Sequence, residues 1–410
     1  MSFNEWREEK LEDVIEFNPS ETIKKGKVVK KIGMDKLMPF QRKIEGFVVT
    51  KYTSGTKFRN GDTLLARITP CLENGKTAQV SILEEGEVGF GSTEFIVLRE
   101  KPGISDRNFI YYLSISPKLR DIAIKSMTGT SGRQRAQVDV IKNSIIKLPP
   151  IEEQRQIANI LSSLDEKIEI NNEINKKLEE MAQAIFQHWF VDFEFPNENG
   201  EPYKSSGGEM VESELGMIPK GWTITTLSKY GKLQMGLSPK SNTYNEEGIG
   251  IPLLNGAADF SGKLITPNKY TTDPKRICKE NDLVFCIRAT IGNITYADKQ
   301  YCLGRGVASI TPLHETYSEY IYYNLKRKMD ELISKATGSV ILGLSKPDIN
   351  EMKMVVPNEG VLLNFHKIVS KFHKTTRNND IQNLRLSNIR DTLLPKLMSG
   401  EIRVPVEEEK

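Results

Sequence analysis

The stretch from Leu148 to Trp189, LPPIEEQRQIANILSSLDEKIEINNEINKKLEEMAQAIFQHW, decides how the rest of the chain is read. Stepping alternately by four and three residues from Ile157 meets Leu161, Leu164, Ile168, Asn171, Asn175, Leu178, Ala182, Ile185 and Trp189, with charged residues off that line. A seam of period 3.5 over about four and a half heptads belongs to a helix that pairs along its length with another helix. Pro149 and Pro150 stand where a helix begins, and Glu152 and Glu153 suit the positive end of its dipole. The spacing predicts one long helix over 151–192.

The same stepping from Phe365 gives Val369, Phe372, Thr376, Asn379, Asn383, Leu386, Arg390, Leu393 and Leu397, so a second long helix is expected over 358–400. Both seams carry two consecutive asparagines, at the same offset of 208 residues. A seam asparagine weakens a coil but fixes its register, because it is satisfied only opposite another polar group. An antiparallel pairing in which facing residue numbers add to 554 sets Asn171 against Asn383, Asn175 against Asn379, Ile168 against Leu386 and Trp189 against Phe365. It also sets Leu164 against Arg390, whose stem could cover the leucine while the guanidinium snorkels to solvent. A parallel pairing would align the asparagines too, with both flanking globules at one end. A third reading puts the asparagines on the wet flank of two unrelated helices, since Ile160, Ile174 and Met181 offer a neighbouring apolar stripe.

Outward from the helices, the chain is written twice. Trp6 and Leu11 reappear as Trp222 and Leu227; the turn and strand RNGDTLLARI around Asp62 reappear as KENDLVFCIR around Asp282. The paired tyrosines of NFIYYL (Asn108 to Leu113) return in EYIYYNL (Glu319 to Leu325), and the Thr-Gly loop at Thr128 returns at Thr337. Runs such as TLLARI, TAQVSIL, EFIVLRE, DLVFCIR and GVASIT read as strands, and the tyrosine segment, continued through Leu119, Ile122 and Ile124, reads as a helix. The expected fold is therefore α+β: two similar mixed α/β domains separated by two long helices pairing as an antiparallel coiled coil, an internal repeat of pseudo-two-fold character. The expected boundaries are 1–150 for the first domain, 151–192 for the first helix, 193–218 for a linker rich in Pro, Gly, Ser and Glu, 219–357 for the second domain and 358–400 for the second helix.

A chain of 410 residues accommodates two cores more readily than one. With 38% hydrophobic and 27% charged residues, and no apolar run of the roughly 18 residues a bilayer requires, a cytoplasmic location is expected and a membrane partner is not. The four cysteines form no metal-ligand spacing and read as reduced, packed thiols, so no metal site is expected. A net charge of +3 hints only mildly at an anionic partner, and the lysines at 24, 25, 27, 30 and 31 read more readily as solvated surface than as a binding patch.

Two globules on a rod suit a target with two sites at fixed separation, and DNA readers place their halves about 34 Å apart, one duplex turn. Diverged halves would read an asymmetric target across an unread spacer. At this point PKGW (Pro219 to Trp222), the run LPPIEEQRQIANILSSLDEKIEINN, QHWFVDFEFP (Gln187 to Pro196) and LLPKLMSGEIRV (Leu393 to Val404) resemble the specificity subunit of bacterial type I restriction-modification systems. The resemblance implies a non-catalytic chain whose two target-recognition domains each read half of a bipartite sequence in double-stranded DNA. It implies docking of two methyltransferase subunits, which carry S-adenosylmethionine, and a place for two restriction subunits that use ATP and Mg; no cofactor is expected in this chain. The second half departs from the pattern, because VVPNEGVLLNFHKIV lacks the Glu-Gln pair of the first.

No catalytic residue is expected. There is no P-loop, FNPS at Phe17 and LPPI at Leu148 lack the residue order of an adenine methyltransferase loop, and the glycine turns GFGS and GRGV are weak signals. ENGK (Glu73 to Lys76) and His188 read as a turn and a helix-end packing residue. For DNA contacts the residue chemistry nominates Arg67, Arg133, Gln134 and Arg135 in the first domain and Arg288, Arg305, Ser345 and Lys346 in the second, since Arg and Gln can grip base edges while Ser and Lys position phosphates. Ordinary surface or ion-paired roles compete at each of these positions. Two rival functions remain: a fused nuclease or methyltransferase acting alone, and a purely structural coiled-coil adaptor.

Overall fold

The computed structural model describes residues 5–337 and 342–405. The chain forms two compact units, one of Met1–Ile170 with Gln382–Lys410, the other of Asn171–Ile381. Each unit thus takes about half of both long helices, Ile151–Phe190 and Glu359–Ser399.

In the first unit an antiparallel sheet runs in the order Ile15–Phe17, Phe95–Glu100, Thr63–Ala66, Thr77–Gln79. In a second sheet Val28–Ile32 pairs parallel with Gly89–Gly91, flanked by Val48–Lys51 and Thr56–Phe58. The strand after Trp6, Arg7–Lys10, pairs with Ile145–Leu148, which leads into the long helix. The second unit repeats this plan. Its antiparallel sheet is Gly231–Met235, Val307–Pro312, Leu283–Cys286, Ile294–Tyr296. Its parallel pair is Ile251–Leu254 with Tyr301–Leu303, and its entry ribbon is Thr223–Thr226 with Lys353–Val356.

The repeated turn shows why the sequence folds alike in both places. Gly61 and Asn281 hold the same left-handed position, at φ +93° and +67°, which glycine and asparagine tolerate best. The next residue, Asp62 or Asp282, is buried and accepts a hydrogen bond from the backbone of Arg59 at 2.7 Å or Lys279 at 2.8 Å. Apolar strands follow directly, wholly buried in both units.

The helices pair antiparallel. In the first unit Ile157 and Leu161 share a core with Leu394 and Leu397. In the second unit the Trp189 and Phe365 rings lie 6.2 Å apart, and the Asn379 side-chain amide donates to Asn175 Oδ1 at 2.8 Å, the pairs expected from the register. Asn175 in turn donates to Asp380 at 2.8 Å. Asn171 is buried; it and Asn383 fall one in each unit.

Three expectations are corrected. Arg390 does not snorkel: it is 7% exposed, and its Nη1 lies 2.6 Å from Asp165. The helix bearing the first tyrosine pair does not run on through Ile124. It stops at Ile115, and a new helix, Pro117–Lys125, begins with the proline at its first turn, because the residue before a proline avoids the helical region. Nor is 193–218 a bare linker. Phe195 is buried and stacks on Trp222 at 4.7 Å and on Tyr203 at 4.6 Å, and Met210–Ser213 forms a hairpin with Gly216–Pro219.

All four cysteines are free thiols, three of them buried. Among the described residues, no helix is long and apolar enough to cross a membrane.

Candidate nucleic-acid interface

In the first unit, three segments meet beyond the end of the strand Thr63–Ala66. The backbone N–H of Arg67 donates to the Glu94 carbonyl at 3.0 Å, and that of Ala136 donates to the Arg67 carbonyl at 2.8 Å. Arg135 exchanges backbone bonds with Thr128, at 2.9 and 3.1 Å, and bridges to Ile68. Gly129 and Gly132, at φ +128° and +77°, let the loop turn back on itself. Arg67, Arg133, Gln134 and Arg135 are thereby gathered at one place. Arg133 is exposed; Gln134 is half-buried and its backbone carbonyl accepts from Thr69 at 3.0 Å. Arg135 is held by Glu94, which accepts from its Nε at 3.0 Å and from its Nη2 at 2.8 Å.

The same three segments meet in the second unit. The Ile287 N–H donates to the Gly306 carbonyl at 2.9 Å, that of Leu344 donates to the Ile287 carbonyl at 2.9 Å, and Gly343 exchanges bonds with Thr337 and bridges to Arg288. This correspondence equates Arg67 with Ile287, Glu94 with Gly306, Ile68 with Arg288 and Arg135 with Gly343. The two strand-end arginines picked out from sequence are therefore not equivalents: they differ by one residue, which in an extended chain turns the side chain to the other face. Arg288 and Arg305 are exposed. Ser345 caps the short helix Lys346–Asn350, its hydroxyl 2.6 Å from the Asp348 carboxylate, and Lys346 is exposed beside it. Part of the repeated Thr-Gly loop, 338–341, lies outside the described residues.

A second set of residues ties each globule to its stretch of long helix, and sequence reading passed over it. In the first unit Tyr112 donates to Asp165 at 2.6 Å, and Asp165 also receives Arg390. Burial and the Asp165 carboxylate push the Tyr112 phenol up, so it remains a donor. Burial opposes charge on Arg390, but Asp165 outweighs it and keeps the guanidinium ionised. In the second unit the equivalent tyrosine, Tyr323, meets His373 Nε2 at 3.0 Å, and burial lowers that imidazole to about 4. On the same stretch Glu179 binds Lys263 and Lys326, each at 2.6 Å. Despite its burial these ammonium groups hold its carboxyl at about 2.

The Glu-Gln pair of the first helix also acquires a physical role. Glu153, 2% exposed, accepts from the Trp6 indole at 3.1 Å and from the Arg403 guanidinium at 2.8 and 2.9 Å. Gln154 accepts from the Asp106 N–H at 3.0 Å and donates to the Ile104 carbonyl at 3.0 Å, fixing the residue that caps the tyrosine helix. In the second helix the same positions are Val361 and Leu362, both buried, so apolar packing replaces this polar staple.

Comparison with known proteins accounts for a duplicated α+β unit joined by paired helices. A model of the type I restriction modification DNA specificity domain matches residues 4–180 and again 219–390, and the chain belongs to that family. It is a specificity subunit of a type I restriction-modification system. It is 30% identical over 308 residues to the putative type I restriction enzyme MjaX specificity subunit of Methanocaldococcus jannaschii, covering 72% of this chain and 68% of that one. It is 27% identical over 409 residues to the HindI specificity subunit of Haemophilus influenzae, covering 84% and 87%. The crystal structure of a type I restriction-modification system S subunit from M. genitalium shares the fold, with a TM-score of 0.61 at 18% identity over 97% of this chain and 96% of that one.

Proposed function

We propose that each unit of this specificity subunit reads one half of an asymmetric bipartite sequence in double-stranded DNA, through the three-segment junctions around Arg67, Arg133, Gln134 and Arg135 and around Arg288, Arg305, Ser345 and Lys346. One observation carries this reading: the same backbone junction occurs in both units with different side chains on it, the pattern expected of a duplicated reading head diverged toward a second sequence. Seam asparagines Asn171, Asn175, Asn379 and Asn383 hold the helices in register, and the helices set the spacer.

The catalytic groups reside in partner subunits: two methyltransferase subunits supplying S-adenosylmethionine, and two restriction subunits using ATP and Mg. Exposed apolar residues on the long helices supply area for such docking, Ile160, Ile170, Leu384 and Ile389 in the first unit and Ile174, Met181, Leu363 and Ile381 in the second. The place of work is the cytoplasm, where the DNA is.

The test is co-expression with the methyltransferase subunit in a methylation-free host, followed by genome-wide mapping of modified adenine. A single bipartite motif with an unspecified gap is expected. A stable complex that modifies no motif, or a continuous one, overturns the reading.

A further inference from the structure

The two junctions differ in where they take their guanidinium from. In the first unit Arg135 rises from the loop, and Glu94 grips the Nε side of its guanidinium, with Nε at 3.0 Å and Nη2 at 2.8 Å. Among the described residues, that grip leaves the far end of the fork, between Nη1 and Nη2, engaged only by a long 3.4 Å contact to the Arg133 carbonyl, and the side chain is 43% exposed. A carboxylate-braced arginine has already lost much of its rotamer freedom, so it can form two parallel hydrogen bonds with little further ordering.

In the second unit both members of that pair are glycine, Gly306 for Glu94 and Gly343 for Arg135. Arg288, one residue past the Arg67 equivalent, lies across the bare backbone instead: a Cβ on Gly343 would stand 3.1 Å from Arg288 Cγ and 3.6 Å from its Nε. Among the described residues no carboxylate pairs with Arg288. At the Glu94–Arg135 and Gly306–Gly343 positions each unit thus offers a guanidinium, Arg135 or Arg288, from opposite segments and on different supports.

Resting on the proposed reading of DNA, we infer that Arg135 and Arg288 each recognise a guanine, one per half-site, and that Glu94 and Gly343 are the positioning residues that aim them. Guanine presents O6 and N7 side by side in the major groove, the acceptor pair that a guanidinium fork matches, whereas a phosphate contact needs no such aim. Glu94 touches no DNA on this view. It acts through Arg135, and Gly343 acts by having no side chain where Arg288 must lie.

The experiment uses the full complex with its methyltransferase and compares motifs and duplex binding for wild type, Arg135→Ala, Arg135→Lys, Glu94→Gln, Arg288→Ala and Gly343→Val. Arg135→Ala is expected to relax one guanine of one half-site by about ten-fold to a hundred-fold, the range of a bidentate base contact, and to leave the other half-site unaltered. Arg288→Ala does the same in the other half. Glu94→Gln relaxes the same position as Arg135→Ala, and the double variant is no worse than Arg135→Ala alone. Gly343→Val relaxes the Arg288 position.

With the wild-type complex, 7-deazaguanine at those two positions, which removes N7, weakens binding without any change to the protein. Melting curves matching wild type for the lysine and glutamine variants exclude misfolding as the cause. A uniform loss across sequences with a smaller salt slope would place the arginines on phosphates and overturn this inference while leaving the bipartite reading intact. An unmoved motif also overturns it. If the wild-type complex has no bipartite motif, the reading beneath fails, and the inference with it.

Discussion

Arg390 occupies a seam position, and the structure shows what makes its burial tolerable: Asp165 at 2.6 Å, itself buried and engaged by Tyr112. Breaking one side of a buried pair strands the other charge, at a cost of about 3–5 kcal/mol, whereas replacing both by apolar groups is often near neutral. Asp165→Ala should therefore lower the unfolding free energy of the first unit by that order, read from the shift of its denaturant midpoint, and Asp165→Leu with Arg390→Met should recover most of it. Strictly additive losses would show that the pair is not coupled. The register predicted from sequence did place a leucine opposite Arg390, but it compared seam positions only, so an acidic partner one residue off the seam was invisible to it.

His373 carries a pH prediction on the second unit. Its folded value is about 4 against an unfolded 6.5, with Tyr323, Tyr322 and Tyr296 around its ring and Glu179, Lys263 and Lys326 as the charges acting on it. The unfolded chain binds the proton more readily, so stability from this group is complete above pH 6.5 and falls as pH drops toward 4, by on the order of 2 kcal/mol at pH 5. Glu179, held at about 2, stays ionised through that window and contributes its own loss only below the ordinary carboxylate value of 4.5. His373→Gln should flatten the fall between pH 6.5 and 4.5 in urea melts that follow the second unit. An unchanged slope would assign the acid sensitivity to other groups.

Elements were legible where one physical rule ran for long. The two long helices announced themselves because a 3.5-residue period persisted for some forty positions; two asparagines per seam set which residues face in an antiparallel pairing, and one such pair meets at 2.8 Å, but they align equally in a parallel pairing and did not decide the direction. Strands bounded by Gly-Asp and Asn-Asp turns were equally plain. Composition misled at 193–218, where Pro, Gly and Ser outweighed three aromatics, Phe193, Phe195 and Tyr203, that gather around Trp222 and fold the segment onto the second core. Periodicity misled at Ser116–Pro117, where the apolar spacing continues but the backbone cannot. The candidate interface was half legible. Its loops and arginines stood out, and the alignment of Asp62 with Asp282 already sets Arg67 against Ile287, so Arg67 and Arg288 were nominated at neighbouring rather than equivalent strand-end positions; Glu94 carried no signal because its partner Arg135 is distant in sequence.

At the scale of the whole chain the two long helices act as a pair, and that pairing fixes how a change of length must be made. Facing residue numbers add to 554, so seven residues inserted after Ile170 must be matched by seven after Asn383 to keep Asn175 opposite Asn379 and the seam in register on either side. Seven residues turn an α-helix through nearly two full turns and lengthen it by about 10 Å, roughly the rise of three base pairs. The doubly extended chain should modify a motif with both half-sequences unchanged and a spacer longer by about one to three base pairs, the lower figure applying where duplex twist has to be absorbed. An insertion in one helix alone displaces every facing pair beyond it, including the asparagines, and should abolish assembly rather than lengthen the gap. An altered half-sequence over a constant spacer would mean that the helices do not set the distance, and the mapped motif of the doubly extended chain distinguishes these outcomes directly.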